Sequence, residues 1–207
     1  MDVHRSPDGA LKSTPAHPLP GAEITPDFFR RRPDVCARDL IGCVFRWQGC
    51  EGRIVETESY EEFDDPACHT WSRPSARDFI ATHDAGAAYV YLNYGVHWLF
   101  NVLTKGPEGN GFVLFRALEP LAGLEDMRRR RGDIGAVALC SGPGKLTKAL
   151  GISGEHHGIS FLHSAAAGIR QGSGMEVITG PRIGISRATE RPWRFGAASS
   201  ACISRKF

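Results

Sequence analysis

The 207-residue chain suits one domain with a full hydrophobic core. With 42% hydrophobic and 23% charged residues it has an ordinary globular composition, and no apolar run approaches the length of a membrane span. The formal net charge of +2 neither demands nor forbids a nucleic-acid partner, so clustering of the positive charge is the better guide.

Residues 1–23 are rich in Pro, Ser, Gly and Ala, lack periodicity, and read as a disordered tail before a domain at 24–207. The N-terminus has no apolar signal-peptide core, which implies a cytoplasmic protein. Thr25 and Pro26 suit the N-cap and first position of a helix, and a second short helix is expected over 33–40, stopped at Gly42. A hairpin follows, with strands at 43–47 and 53–60 around a turn at 49–52. Residues 61–87 are polar, carry Pro66, Pro74 and Gly86, and read as a long loop of the kind that tends to be functional. "AAYVYLNYGVHWLFNVLT" is the strongest β segment, with a tight turn at Tyr94-Gly95. "GFVLFRALEP" reads as a further strand. "PLAGLEDMRRRRG" reads as a helix starting near Pro120, with Leu121, Leu124 and Met127 on one face and Gly132 at its end. "SGPGKLTKALG" is a glycine-rich turn into a helix closed by Gly151, and more strands are expected after Met175.

Two arginine runs, 30–32 and 128–131, read as solvated helix ends. Six cysteines occur with no C-x-x-C pair, which argues against a zinc ribbon or finger. Without a signal peptide, free buried thiols are the better account than a disulfide framework. Cys68 beside His69 is not a metal or nucleophile pair, because adjacent residues on an extended chain face opposite ways.

The stretch "RIVETESYEEFDDPACHT" places Glu56, Glu58 and Tyr60 on one strand face, with His69 close behind. A carboxylate beside an aromatic floor can hold and activate a water, whereas a half-exposed strand would simply solvate both glutamates. Tyr89 and Tyr91 share a face and suit either core packing or a second pair of rings. Tyr94 sits at the expected hairpin tip, where a ring suits insertion between stacked bases. "SGPGK" offers the backbone of Gly142 and Gly144 at a helix start with Lys145 beside them, which reads equally as an anion site or as a plain turn. It is not a phosphate-binding loop of the nucleotide type, since Leu139 replaces the first glycine and Leu146 the Ser or Thr.

Taken in order, "GRIVETESY", "YVYLNYG", "FNV", "LFRALEPLAGLEDMRRRRG", "LCSGPGKLTKALG" and "PRIGISRATERPWRF" make the chain similar to the alkyladenine (3-methyladenine) DNA glycosylase family, over about residues 24–196. The resemblance implies a single α+β domain on a curved, mostly antiparallel sheet with surrounding helices and a protruding hairpin. It implies no metal and no cofactor. By position, Glu58 matches the residue that activates the attacking water and Arg116 its partner. Tyr60, His69 and Tyr91 match the residues that hold the extruded base, Asn101 the one that crowds the 2-amino group of guanine, and Tyr94 the ring that fills the gap. After His69 the family's T-P-R-N string is replaced by "SRPSARDF", where Arg77 takes the place of the arginine and Asp78 that of the asparagine. Spacing alone does not choose between Glu56 and Glu58.

The implied activity is a monofunctional glycosylase acting as a monomer on double-stranded DNA that contains alkylated or deaminated purines, in a bacterial-type, nucleoid-associated setting. Flipping a damaged nucleotide out of the duplex costs a few kcal/mol, and aromatic stacking recovers ~1–3 kcal/mol per ring. The rival readings are a non-catalytic binding module of the same fold and a small-molecule nucleoside hydrolase. Glu58 with Arg116 argues against the first, and an exposed Tyr94 argues against the second.

Overall fold

The computed structural model describes residues 21–207. Its centre is a pair of long strands, β2 (Cys50–Glu61) and β5 (Gly109–Ala122), whose apolar residues alternate with site-facing ones. Around them lie β1 (Val44–Trp47), β3 (Ala88–Asn93), β4 (His97–Gly106), β6 (Ala167–Arg170), β7 (Val177–Gly180) and β8 (Arg194–Ala197). All pairings are antiparallel, in the order β3-β4-β5-β2-β1-β6. The sheet curls into a half-barrel, and β8, carrying β7, takes over the β2 edge beyond the end of β1. This is the expected α+β class.

The two faces of the sheet are packed differently. One buries the main core, in which Phe45, Trp47, Phe100, Phe115 and Phe161 interlock edge-on or tilted. The helices α1 (Pro33–Asp39), α3 (Leu124–Arg131), α4 (Ala136–Leu139) and α5 (Pro143–Leu150) add Cys36, Met127, Leu139 and Leu146 to that core. The other face carries a smaller cluster, where Phe79 and Ile80 of α2 (Pro74–Thr82) meet Tyr89, Leu103 and Phe112. Tyr60 and Tyr91 pack at its margin.

Two opposed bulges interrupt the β2–β5 ladder. Ile54 faces Leu118 and Glu56 faces Ala117, so Val55 is extra on β2; Thr57 then faces Phe115, so Arg116 is extra on β5. Bulges re-aim side chains, and here both Glu56 and Arg116 sit at the irregularity.

Several expectations need correction. The segment 61–87 is not one loop: it holds a 3₁₀ turn at His69–Trp71 and then α2. Pro74 at the first helical turn, with Ala76, Phe79 and Ile80 buried at helical spacing, is the signal that the loop reading passed over. The helix placed near Pro120 begins at Leu124, because β5 continues to Ala122 with Pro120 opposite Gly52; Leu121 is exposed. Pro26–Phe29 is a 3₁₀ turn, and the Thr25 side chain makes no cap bond. The β1–β2 turn is tighter than expected, with Gln48 and Gly49 at positive φ and β2 starting at Cys50. Of the expected tail, residues 1–20 lie outside the described ones. Residues 21–23 join the sheet edge: Gly21 N–H donates to Gln171 O at 2.7 Å, and Glu23 bridges Arg170.

All six cysteines are free and buried. The arginine runs are largely tied down locally: Arg31 to Asp39, Arg32 to Asp34 and Glu61, Arg128 to Glu125 and Arg129 to Asp126, with Arg130 and Arg131 donating to the Ala149 and Leu139 carbonyls. Among the described residues no helix is long and apolar enough to cross a membrane.

Candidate active site

One row of paired residues crosses the sheet on its lightly packed face. Tyr89 of β3 faces Asn101 of β4, Asn101 faces Leu114 of β5, Leu114 faces Glu58 of β2, and Glu58 faces Arg194 of β8. Flanking pairs add Tyr91 opposite Leu99 and Tyr60 opposite Phe112. A cavity of about 520 Å³ opens on this face, lined among others by Tyr60, His69, Tyr91, Asn101 and Arg116, with Tyr94 at its edge. Tyr60, Tyr91 and Arg116 line this cavity, but Glu58 does not. It is fully buried, behind Tyr60 and Arg116.

The Glu58 carboxylate is held by three groups. The Tyr60 hydroxyl donates to Oε2 at 2.7 Å, the Ile183 N–H donates to Oε1 at 2.7 Å, and Arg116 Nη1 lies 3.2 Å from Oε2. Burial nonetheless raises its pKa, against the opposing pull of Arg116 and the hydrogen bonds. The Arg116 charge therefore reduces the burial penalty without cancelling it. Burial and the neighbouring Glu58 also raise the Tyr60 phenol, which stays protonated and donates. Glu56, equally buried, takes Arg116 Nε at 3.2 Å, Arg194 Nη1 at 3.3 Å and the Ser204 hydroxyl at 2.8 Å.

The aromatic wall is built from two elements. His69, on the 3₁₀ turn, meets Tyr91 edge-on at 4.3 Å between ring centres, and its Nδ1 lies 3.2 Å from the Tyr89 hydroxyl. Burial, and then the Arg73 charge, lower the His69 pKa to about 4, so the ring is neutral at pH 7. The Arg73 guanidinium stands over Tyr91 at 5.3 Å. Asn101 is buried and its Nδ2 donates to Tyr89 O at 3.1 Å, which fixes the amide against the cavity wall.

Tyr94 and Gly95 both adopt positive φ, and Val96 N–H closes the turn on Asn93 O at 3.1 Å. Such a turn favours Asn or Gly, so a tyrosine there is strained, by about 1–3 kcal/mol. The ring is 86% exposed.

The "SGPGK" segment starts α5, with Pro143 on the cavity wall and Gly142 at φ +152°. A Cβ on Gly144 would come within 3.0 Å of the His97 side chain, so this glycine serves close packing between α5 and the β3–β4 hairpin. Lys145 is exposed, 3.5 Å from the Ser141 hydroxyl. Arg77 does not join the cavity: it is exposed on α2 and donates to the Thr70 carbonyl. Besides Arg116, the arginines near the cavity are Arg187, on the lining, and Arg73, over the Tyr91 ring.

Sequence reasoning missed Asp65, Arg182, Ile183, Arg194 and Ser204. Arg182, Ile183 and Arg194 fall within the closing string "PRIGISRATERPWRF", but nothing local announces that this string folds back on β2. Among the described residues no group of three or more His, Cys, Asp or Glu stands close enough to hold a metal ion.

The family profile described as Methylpurine-DNA glycosylase (MPG) matches residues 27–201. A protein of Nitrosospira multiformis is 46% identical over 182 residues, 87% of this chain and 93% of its own length. One of Rhodopseudomonas palustris (strain ATCC BAA-98 / CGA009) is 43% identical over 208 residues, 100% of this chain and 99% of its own. One of Granulibacter bethesdensis is 46% identical over 184 residues, 86% of both chains. Each carries the name "Putative 3-methyladenine DNA glycosylase". The fold and these matches show a DNA glycosylase, a hydrolase of N-glycosyl bonds in base excision repair. Within that class, the chain belongs to the methylpurine-DNA glycosylase family.

Proposed function

We propose that this enzyme is a monofunctional, monomeric glycosylase that flips alkylated or deaminated purines out of duplex DNA and hydrolyses the bond to the sugar, leaving an abasic site. One observation carries the reading: a fully buried carboxylate, held by Tyr60, Ile183 and Arg116, stands directly behind an aromatic cavity wide enough for a purine. In this reading Tyr60, His69 and Tyr91 grip the base, and the Asn101 amide excludes a guanine 2-amino group. Tyr94 occupies the gap left in the helix. The start of α5 with Lys145, together with Arg73, Arg77 and Arg187, faces the phosphates.

Glu58 acts as the general base. It takes a proton from water as the oxygen attacks the sugar carbon, and the bonding pair leaves with the purine nitrogen. Arg116 keeps enough of the carboxylate ionised for this. Because Glu58 is sealed off, entry of the base has to draw the Tyr60 hydroxyl away from Oε2 and admit the water. An N3- or N7-alkylated purine is cationic and leaves readily, with its charge stacked on electron-rich rings. A deaminated base such as hypoxanthine is neutral and needs protonation as it departs.

The test is base release from duplexes carrying 3-methyladenine, 7-methylguanine, hypoxanthine or 1,N6-ethenoadenine, by wild type and by E58Q. Release by wild type and its loss in E58Q, with lesion-DNA binding kept, is expected. Undiminished release by E58Q refutes the assignment. Hydrolysis of free inosine in preference to the inosine duplex would favour a nucleoside hydrolase, and a borohydride-trapped covalent complex would rule out the monofunctional route.

A further inference from the structure

The mechanism above leaves one fully buried ion pair unused. Asp65 and Arg182 meet in a two-point bridge, Nη1 to Oδ2 at 2.6 Å and Nη2 to Oδ1 at 2.8 Å, with both side chains wholly excluded from solvent. Replacing such a pair by apolar groups is often neutral or favourable for stability, so stability alone is a weak reason for it.

Its attachments point elsewhere. Arg182 Nη1 also donates to Ser59 O at 3.0 Å, on the residue before Tyr60. The guanidinium lies 4.6 Å from the centre of the Tyr60 ring. Tyr60 lines the cavity and Arg182 does not, so the cation sits behind the ring. The next residue after Arg182 is Ile183, whose N–H holds Glu58 Oε1. Asp65 in turn accepts the Glu61 N–H and the Ala67 N–H, each at 3.2 Å. The pair thus ties the exit of β2 and the chain leading to Pro66 and Ala67 on the cavity to the chain leading to residues 183–187 on it.

We infer that Arg182, clamped by Asp65, is a positioning residue: it sets both the Tyr60 hydroxyl and the Ile183 amide that orient Glu58. Two of the three groups on the carboxylate hang from this one guanidinium, the third being Arg116. The inference rests on Glu58 being the general base, but its test does not need DNA.

Isotope-edited infrared difference spectra, wild type against E58Q, follow the Glu58 carboxylate through a pH titration. In R182Q, and in the milder R182K, Glu58 is expected to titrate at higher pH than in wild type. A carboxylate that loses hydrogen bonds to its charged form holds its proton longer. Lysine keeps the charge but offers no planar fork, so R182K isolates geometry from charge. Single-turnover base release should fall by about tenfold or more in both variants, its acid limb moving to higher pH, while affinity for lesion-free duplex stays within about threefold. An unmoved Glu58 titration in folded R182K overturns the inference, whatever the rate does, because lost packing lowers the folded fraction without moving that titration. A wild-type protein that releases no purine fails the general-base reading instead, and the infrared titration then judges the positioning role by itself.

Discussion

Glu56 and Glu58 lie two residues apart on the same face of β2, and neither is exposed to solvent. Their surroundings differ in kind. Glu56 is ringed by Arg116, Arg194 and Ser204, and lies away from the cavity. Glu58 shares Arg116 but is otherwise held by a phenol on the cavity wall and one backbone amide. A carboxylate saturated by two guanidinia and a hydroxyl is a structural counter-ion. A carboxylate with fewer cations around it, and with burial raising its pKa, fits the general base proposed above. Spacing left the choice between them open; the difference in what packs against each supports proposing Glu58.

The comparison breaks if the two glutamates answer substitution alike. E58Q should lose ~10²–10⁴-fold in base release, the range of a general base, as read by single-turnover assay. Its stability should not suffer equally. The cost of burying the Glu58 charge is absent below the unfolded carboxylate pKa and grows as pH rises through the raised native one, so E58Q should gain on wild type with rising pH in thermal melts. E56A should behave in the opposite manner. It strips Arg194 of its carboxylate partner and should cost about 3–5 kcal/mol in denaturant unfolding at neutral pH.

The pH profile sharpens the contrast. Release by wild type should decline on acidification at a pH above the ordinary carboxylate range, because Glu58 must be ionised to act. E56Q removes a like charge that raises the Glu58 pKa, so its acid limb should move to lower pH. An acid limb unchanged in E56Q would mean that the two carboxylates are not electrostatically coupled. The smallest effect concerns Tyr94. Y94G relieves the positive-φ strain and should stabilise by about 1 kcal/mol, while weakening binding to lesion duplex. A Y94G protein that is destabilised would assign the ring a packing role.

The strand period alone put Glu56, Glu58 and Tyr60 on one face, and the Tyr94-Gly95 turn was equally plain, because both signals are local. What stayed illegible came from long range. Arg182, Arg194 and Ser204 reach β2 from more than a hundred positions away, and no local pattern encodes that return. Arg77, expected among the DNA-facing residues, sits exposed on the helix beginning at Pro74, bonded to the Thr70 carbonyl. The β5 strand ran past Pro120 because that proline sits at the ladder's irregular end, where a missing N–H does little harm.

The row that crosses five strands from Tyr89 to Arg194 has one further consequence. A slip of one residue in any of these pairings would turn a whole strand's side chains to the wrong face. The proposed base pocket and proton acceptor would therefore form only once these strands pair in this register. In that reading, a chain that folds in another register would lack the site entirely.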